Sequence, residues 1–191
     1  VFTTIKDHLQ VVEECAPRGI HVMVEKPLAV SLEDARKMER LALEHNILLL
    51  TNYETTWDSS INKARQLLFK QRQIGELNKV TVESGHMGPK EVVQEEAFLE
   101  WLCDPEQSGG GALMDFGCYG ANLITWLMEN EKPETVTAIT QTFRLKDYPE
   151  VEDEATIILT YPDMQGIIQA SWNWPDHRKR MSLFGSKGYI N

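Results

Sequence analysis

Two short segments carry the residue types that hold charge and exchange protons. One is Glu25-Lys26-Pro27, and the other runs from Gly109 through Gly110, Gly111, Asp115 and Cys118 to Tyr119. A lysine partly withdrawn from water has a lowered pKa and a proton to share with a substrate hydroxyl, and this chemistry is expected of Lys26. Taken alone, a three-residue match occurs often by chance, and the tripeptide is more often a surface lysine before a proline at the end of a strand. In the second segment the three glycines let backbone approach a ligand closely and present N–H groups at a helix start. Asp115 and Tyr119 fall at i and i+4, so on a helix they share a face, and Asn122 follows one turn on. A carboxylate, a phenol and an amide on one stripe of an apolar helix are costly to bury unless each finds a partner. The alternative is a polar stripe that simply faces water.

The elements that must position these residues follow from hydrophobic period and punctuation. Val1 to Thr3 reads as the stub of a buried strand. Thr4 caps a helix whose apolar positions Ile5, Leu9, Val12 and Ala16 share one side, and Gly19 closes it. His21 to Val24 is a short β-branched run stopped by Pro27, which has no N–H to donate. Ser31 caps a second helix with Asp34 three residues on, and Ile47 to Leu50 is another apolar strand. Strand, helix, strand, helix, strand with continuous apolar strands predicts two βαβ crossovers in a parallel sheet covered on both faces. Lys26 then sits at the carboxyl end of a parallel strand, where open α/β sheets place their ligands.

After Tyr53 the pattern changes. Helices are predicted near residues 61–69, 95–103 and 112–128, and a strand near 79–86. Further strands are predicted near 135–144, 154–161, 166–174 and 180–184, with Pro162 to Gly166 as a hairpin connection. Short turns between successive strands make them antiparallel. The expected architecture is α/β plus α+β: the C-terminal half of a Rossmann-type parallel sheet over 1–53, then an α+β domain over 54–191 with a large, mostly antiparallel sheet. Ile158 and Ile167 lie on the second face of that sheet, and a partly apolar second face of this kind often meets another subunit. A homo-oligomer through the antiparallel sheet is therefore expected, with an ordinary solvated face as the alternative.

Composition narrows the function classes. Acidic residues outnumber basic ones 29 to 19, for a net charge of −10, which repels phosphate backbones and argues against nucleic-acid binding. The cysteines, Cys15, Cys103 and Cys118, form no C-x-x-C pair, and the histidines show no H-x-x-x-H spacing. Neither a disulfide framework nor a metal site is expected, and a reducing, cytoplasmic location fits best. No apolar run approaches the roughly 20 residues needed to span a bilayer.

The two segments together resemble signatures of the Gfo/Idh/MocA family of nicotinamide-dependent oxidoreductases. His8 through Pro27 is similar to the family's H-x(n)-G-x-H-V-x-x-E-K-P stretch, with Gly19, His21, Val22, Glu25, Lys26 and Pro27 in place. Gly109 to Tyr119 resembles its G-G-G-x-x-x-D-x-G-x-H segment, and Ala170-Ser171-Trp172 and Gly185 to Ile190 resemble its late A-S-W strand and G-x-x-G-x-I turn. The family's usual histidine is Tyr119 here, as in the branch of glucose–fructose oxidoreductase and the dihydrodiol or xylose dehydrogenases. The family's arginine-bearing segment is replaced by Asn52-Tyr53-Glu54-Thr55-Thr56-Trp57.

The resemblance implies NAD or NADP as cofactor, a carbohydrate-like small molecule as substrate, and hydride transfer at a secondary alcohol carbon of a sugar, polyol or related diol. It implies Lys26, Tyr119 and Asp115 as catalytic residues. Tyr119 would exchange the proton, Lys26 would lower its effective pKa, and Asp115 would bind a neighbouring hydroxyl or orient Lys26. Glu25, Lys26 and Pro27 would lie beside the cofactor, with a cis bond before Pro27. Trp57, Asn122 and Trp172 are candidate substrate contacts. A redox-neutral NAD-dependent glycosidase on the same scaffold, or a non-catalytic oligomerisation or binding module, are the alternatives. The family's G-x-G-x-x-G loop is not in the sequence and is expected upstream. The 191-residue chain alone is accordingly expected to bind NAD(P) weakly or not at all; calorimetric titration giving micromolar affinity would refute this.

Overall fold

The computed structural model describes residues 1–191 and contains two sheets. The chain opens without regular structure. Val1 is tied to the first strand by two backbone bonds, its amino group to Met23 O at 2.7 Å and Glu25 N to its own carbonyl at 3.2 Å. Phe2 stands in solvent. The expected strand stub at Val1 to Thr3 is not formed, because two bonds at one residue do not extend a ladder.

Thr4 precedes a 3-10 turn, Ile5–Asp7, that leads into α1 (His8–Cys15). The Thr4 hydroxyl donates to the Asp7 carboxylate at 2.7 Å, so it braces the turn without capping a backbone N–H. Gly19 ends the helical run at φ 68°, a left-handed conformation that glycine adopts without Cβ strain. Strand β1 (Val22–Glu25), helix α2 (Leu32–Glu44) and strand β2 (Leu49–Asn52) follow. Ser31 caps α2 as expected, its Oγ accepting from Asp34 N at 3.0 Å. β1 and β2 pair in parallel with Val22 opposite Leu49 and Glu25 opposite Asn52. This is one βαβ crossover where two were expected. Only one face of the pair is covered: Val22 and Val24 are buried with Val12, Ala16, Met38 and Ile47, whereas Met23, Leu48 and Leu50 are exposed.

A 3-10 turn, Glu54–Trp57, then α3 (Ser59–Arg65) with a π-helical continuation over Gln66–Lys70, lead to β3 (Leu77–Gly85). Three short helices, α4 (Pro89–Val92), α5 (Glu96–Leu102) and α6 (Pro105–Ser108), precede a π-helical segment, Leu113–Gly117, which runs into α7 (Cys118–Leu127). Strands β4 (Thr135–Gln141), β5 (Glu154–Thr160), β6 (Gln165–Ser171), β7 (Arg178–Gly185) and β8 (Gly188–Ile190) complete the chain. The second sheet has the order β4-β5-β6-β3-β7-β8, antiparallel throughout except for the β3–β6 pair.

Alternation along the strands sends one set of side chains inward. Val80, Val82, Leu159, Ile168 and Leu183 meet Ala64 and Leu68 from the α3 region and Leu123, Ile124 and Leu127 from α7. The opposite face is uncovered, and every residue of edge strand β4 is exposed. Helix α7 lies against β6 closely enough that a methyl group on Gly120 would stand 2.5 Å from Ile168 Cγ2 and 2.8 Å from its Cγ1. Ile168 is β-branched and fully buried, so it has no room to yield. Gly120→Ala is expected to destabilise the fold by about 1–3 kcal/mol through overpacking. Urea denaturation checks this, and a change below ~0.5 kcal/mol would show that the helix can move off the sheet.

Candidate active site

Three chain segments converge where β1 ends. β1 delivers Lys26, the π-helical segment delivers Asp115, and the first turn of α7 delivers Tyr119. The Lys26 ammonium donates to the Asp115 carboxylate at 2.5 Å and to the Asp115 carbonyl at 2.8 Å. It also stands 5.1 Å from the centre of the Tyr119 ring and 5.8 Å from that of Phe116. The other Asp115 oxygen accepts from the Trp172 indole N–H at 3.0 Å. The pair is largely shielded, with side-chain exposures of 19% for Lys26 and 12% for Asp115. Glu25 is braced by Asn52, whose amide donates to it at 2.7 Å across the β1–β2 register. The Lys26–Pro27 bond is cis.

Tyr119 is buried, with the Tyr53 ring edge-on at 6.2 Å. Its hydroxyl takes no hydrogen bond within the chain, yet it is not sealed in like Tyr161 Oη, which is buried without a partner. The phenol oxygen thus has no partner within the chain and keeps a trace of solvent contact.

The expected lowering of Lys26 is reversed, and the expected pull of Lys26 on Tyr119 is present but outweighed by burial. Burial pulls the Lys26 ammonium down, but the Asp115 carboxylate overrides it, and the lysine is held above its ordinary value. Burial likewise pushes the Tyr119 phenol up to about 12, against the opposing pull of Lys26. The Cys118 thiol rises to about 12 by burial too, so it is no nucleophile near neutral pH.

The glycine segment works differently from the expectation. Glu152 takes the donors at the helix start: its carboxylate accepts from Gly111 N and Leu113 N, each at 2.9 Å, and its carbonyl from Ala112 N at 2.9 Å. Gly109 and Gly110 adopt φ of 85° and 151°, and a Cβ on Gly111 would collide with Glu152 backbone. The glycines let the chain pass Glu152, so these N–H groups are not offered to a ligand.

The candidate substrate contacts divide. Trp172 is fully buried, its ring tilted against that of Tyr148 with centres 5.0 Å apart, and it holds Asp115; it is a core residue and not a pocket wall. Asn122 donates to Thr56 Oγ1 at 3.0 Å, which fixes the 3-10 turn after β2 against α7. Trp57 is 72% exposed and lines neither main cavity. A residue that pattern reading passed over is Lys179 of β7, whose ammonium lies 4.5 Å from the Tyr119 ring centre. It sits in the charged run His177 to Arg180, which carries no period to single it out.

A cavity of about 380 Å³ opens beside the cluster, lined by residues 2–5, His8, Glu25, Lys26, Pro27, Trp101 and Asp115 among others. Tyr119 is not in its lining; Lys26 and Asp115 belong both to the cavity wall and to the tyrosine cluster. His8 Nε2 is buried without a partner. An apolar wall with one unpaired imidazole nitrogen and a cation at its edge suits a flat aromatic ring bearing polar substituents. The residues present therefore fit a nicotinamide group, which Glu25, Lys26, Pro27 and His8 would hold.

Residues 61–191 match the GFO/IDH/MocA C-terminal domain, and residues 1–53 match the NAD-binding Rossmann fold of the same oxidoreductase family. The chain is 29% identical over 186 residues to a trans-1,2-dihydrobenzene-1,2-diol dehydrogenase of Xenopus laevis, covering 96% of this chain and 51% of that protein. It is 27% identical to the NADP-dependent D-xylose 1-dehydrogenase of Haloarcula marismortui, covering 96% and 49%. It also superposes on the aldose-aldose oxidoreductase of Caulobacter crescentus, crystallised with glycerol, with a TM-score of 0.84 at 26% identity, covering 99% of this chain and 54% of that one. The chain thus spans about half the length of the relatives it matches.

Tyr119 keeps its proton in the folded chain up to about 12, whereas an unfolded tyrosine loses it near ~10. Its contribution to stability is therefore complete below that unfolded value and declines as pH rises toward the folded one. A phenolate absorbance titration, taken as the difference between wild type and Tyr119→Phe, should show no ionisation at the ordinary tyrosine value. A difference signal centred at that ordinary value would contradict the burial argument.

Proposed function

Because the chain belongs to the Gfo/Idh/MocA oxidoreductase family, we propose that in the full-length protein it serves hydride transfer between NAD or NADP and a secondary alcohol carbon of a sugar, polyol or related diol. The observation that carries this reading is the Lys26 ammonium 5.1 Å from the Tyr119 ring, with the phenol oxygen left free. The names of the relatives, a diol dehydrogenase and a xylose dehydrogenase, support the substrate class. Residues 1–53 are then part of a dinucleotide-binding domain and residues 54–191 a substrate and oligomerisation domain. The uncovered face of the second sheet, where Ile158, Ile167 and Phe184 emerge, is the proposed contact with another subunit.

When bound, the nicotinamide supplies or accepts the hydride. Tyr119 exchanges the proton on the reacting oxygen. Burial keeps the phenol protonated to about 12, which is the form that donates, so in the reductive direction Tyr119 gives its proton to the carbonyl oxygen. The phenolate left behind faces the Lys26 ammonium, whose charge limits the cost of forming it. Asp115 has one oxygen on Lys26 and the other on Trp172, which favours the orienting role over direct contact with a substrate hydroxyl.

Tyr119→Phe in the full-length enzyme is expected to lower turnover by about 10²–10⁴-fold, and a loss below ~10-fold would remove Tyr119 from proton transfer. Lys26→Met should cost at least as much, since it deletes the cation and strands Asp115. Steady-state kinetics in the reductive direction checks both.

A further inference from the structure

Lys179 is absent from every motif, yet its ammonium is nearer the Tyr119 ring centre than that of Lys26, at 4.5 Å against 5.1 Å. It forms an ion pair with Glu54 of the 3-10 turn after β2. Its side chain keeps 26% of its surface and that of Glu54 54%, so the pair lies at the mouth of the cluster. With its carboxylate half in solvent, such a pair adds little to stability, and the position of Lys179 over the phenol ring is the informative feature. A cation over the face of an aromatic ring is attracted by the ring quadrupole, and more strongly once the ring carries phenolate charge.

We infer that Lys179 is a positioning residue for Tyr119, a second ammonium held over the phenol ring by Glu54 that favours the phenolate as its proton leaves. The groups around Tyr119 give the two lysines different work. Lys26, Asp115, Cys118 and Glu25 act on the phenol from the β1 and glycine-segment side, and the rings of Tyr53 and Phe116 lie 6.2 and 6.3 Å from it, centre to centre. Lys26 is committed to Asp115 and titrates above the ordinary lysine range. Lys179 is lowered, first by burial and then by the charge of Lys26, so it is the cation of the cluster that discharges at the lower pH. Turnover that needs both cations must therefore fall on the alkaline side as Lys179 loses its proton, before Lys26 or Tyr119 titrates.

This inference rests on the proton-transfer reading of Tyr119, and two measurements separate them. In full-length protein carrying 3-fluorotyrosine, the fluorine resonance of Tyr119 is assigned by its loss in Tyr119→Phe. It should move in Lys179→Met and stay near its place in Lys179→Arg; an unmoved line in Lys179→Met overturns the contact. In the second, a panel of aldoses and ketoses is reduced with NADH and NADPH across pH. Lys179→Met should lower the kcat plateau by about tenfold, leave KM within about threefold, and abolish the alkaline limb that lies below the ordinary lysine value of ~10.4. Lys179→Arg should keep the plateau and carry the limb to higher pH. A limb that persists in Lys179→Met, a plateau within about twofold of wild type, or a loss confined to KM overturns the positioning role. Full turnover in Tyr119→Phe, or none in wild type, sinks the activity reading alone, since the fluorine measurement still reports on the contact.

Discussion

A shielded ion pair between Lys26 and Asp115 joins the two sheets and sets the chemistry of everything around it. The partners are 89 residues apart in sequence. One stands at the end of the parallel pair, the other on the segment that leads into α7. Moving two charges out of water is costly, and breaking such a pair by deleting one partner typically costs ~3–5 kcal/mol. The cost is contained here because the pair's hydrogen-bonding capacity is used. Lys26 also donates to the Asp115 carbonyl, and the second carboxylate oxygen takes the Trp172 indole N–H. Trp172 in turn is fixed by the buried core of the second sheet with Tyr148, Ala155 and Ala170. The rigidity of the antiparallel sheet is thereby transmitted to a lysine that belongs to the other one.

The same constraint explains the glycine segment. On its way to Lys26 the segment bearing Asp115 passes against the backbone of Glu152, and Gly111 makes that passage sterically possible. Glu152 then satisfies N–H groups that a helix start would leave unpaired. A carboxylate at this end is also favoured by the helix dipole. The glycines act here on the position of Asp115 and, one turn later, of Tyr119.

Local pattern revealed what depends on local pattern. Ser31 as a cap, Gly19 as a stop, the βαβ unit and the antiparallel strands follow from side-chain types and their spacing, and the structure forms them. Asp115 and Tyr119 lie on one side of their helix because i and i+4 must. The misread features depend on partners distant in sequence. The Lys26 pKa is set by a carboxylate 89 residues away, so burial alone pointed in the wrong direction. Trp172 falls just past the end of β6, and nothing in the strand pattern says that its N–H is spent on Asp115. Glu152 and Lys179 were illegible for the same reason: each lies in a charged stretch that reads as solvated surface, and each acquires a role only when the sheet brings it against a helix.

These partners also account for the state in which Tyr119 is held. Desolvation disfavours its charged form, and a single cation already committed to Asp115 does not reverse that, so the free chain keeps a neutral phenol. A neutral phenol with an unpartnered oxygen is a proton donor in waiting. It becomes effective only where the phenolate is stabilised at the moment of transfer, since a charge stabilised in advance would have cost the proton itself. The cluster meets this requirement by keeping its cations against the ring and leaving the hydroxyl unbonded. Lys26 cannot leave without exposing Asp115, whereas Lys179 is tied only to a surface carboxylate. In the proposed reaction, proton transfer would be governed by desolvation first and by the placement of charge second, and the Asp115 end of the cluster is held by the core to which Trp172 belongs.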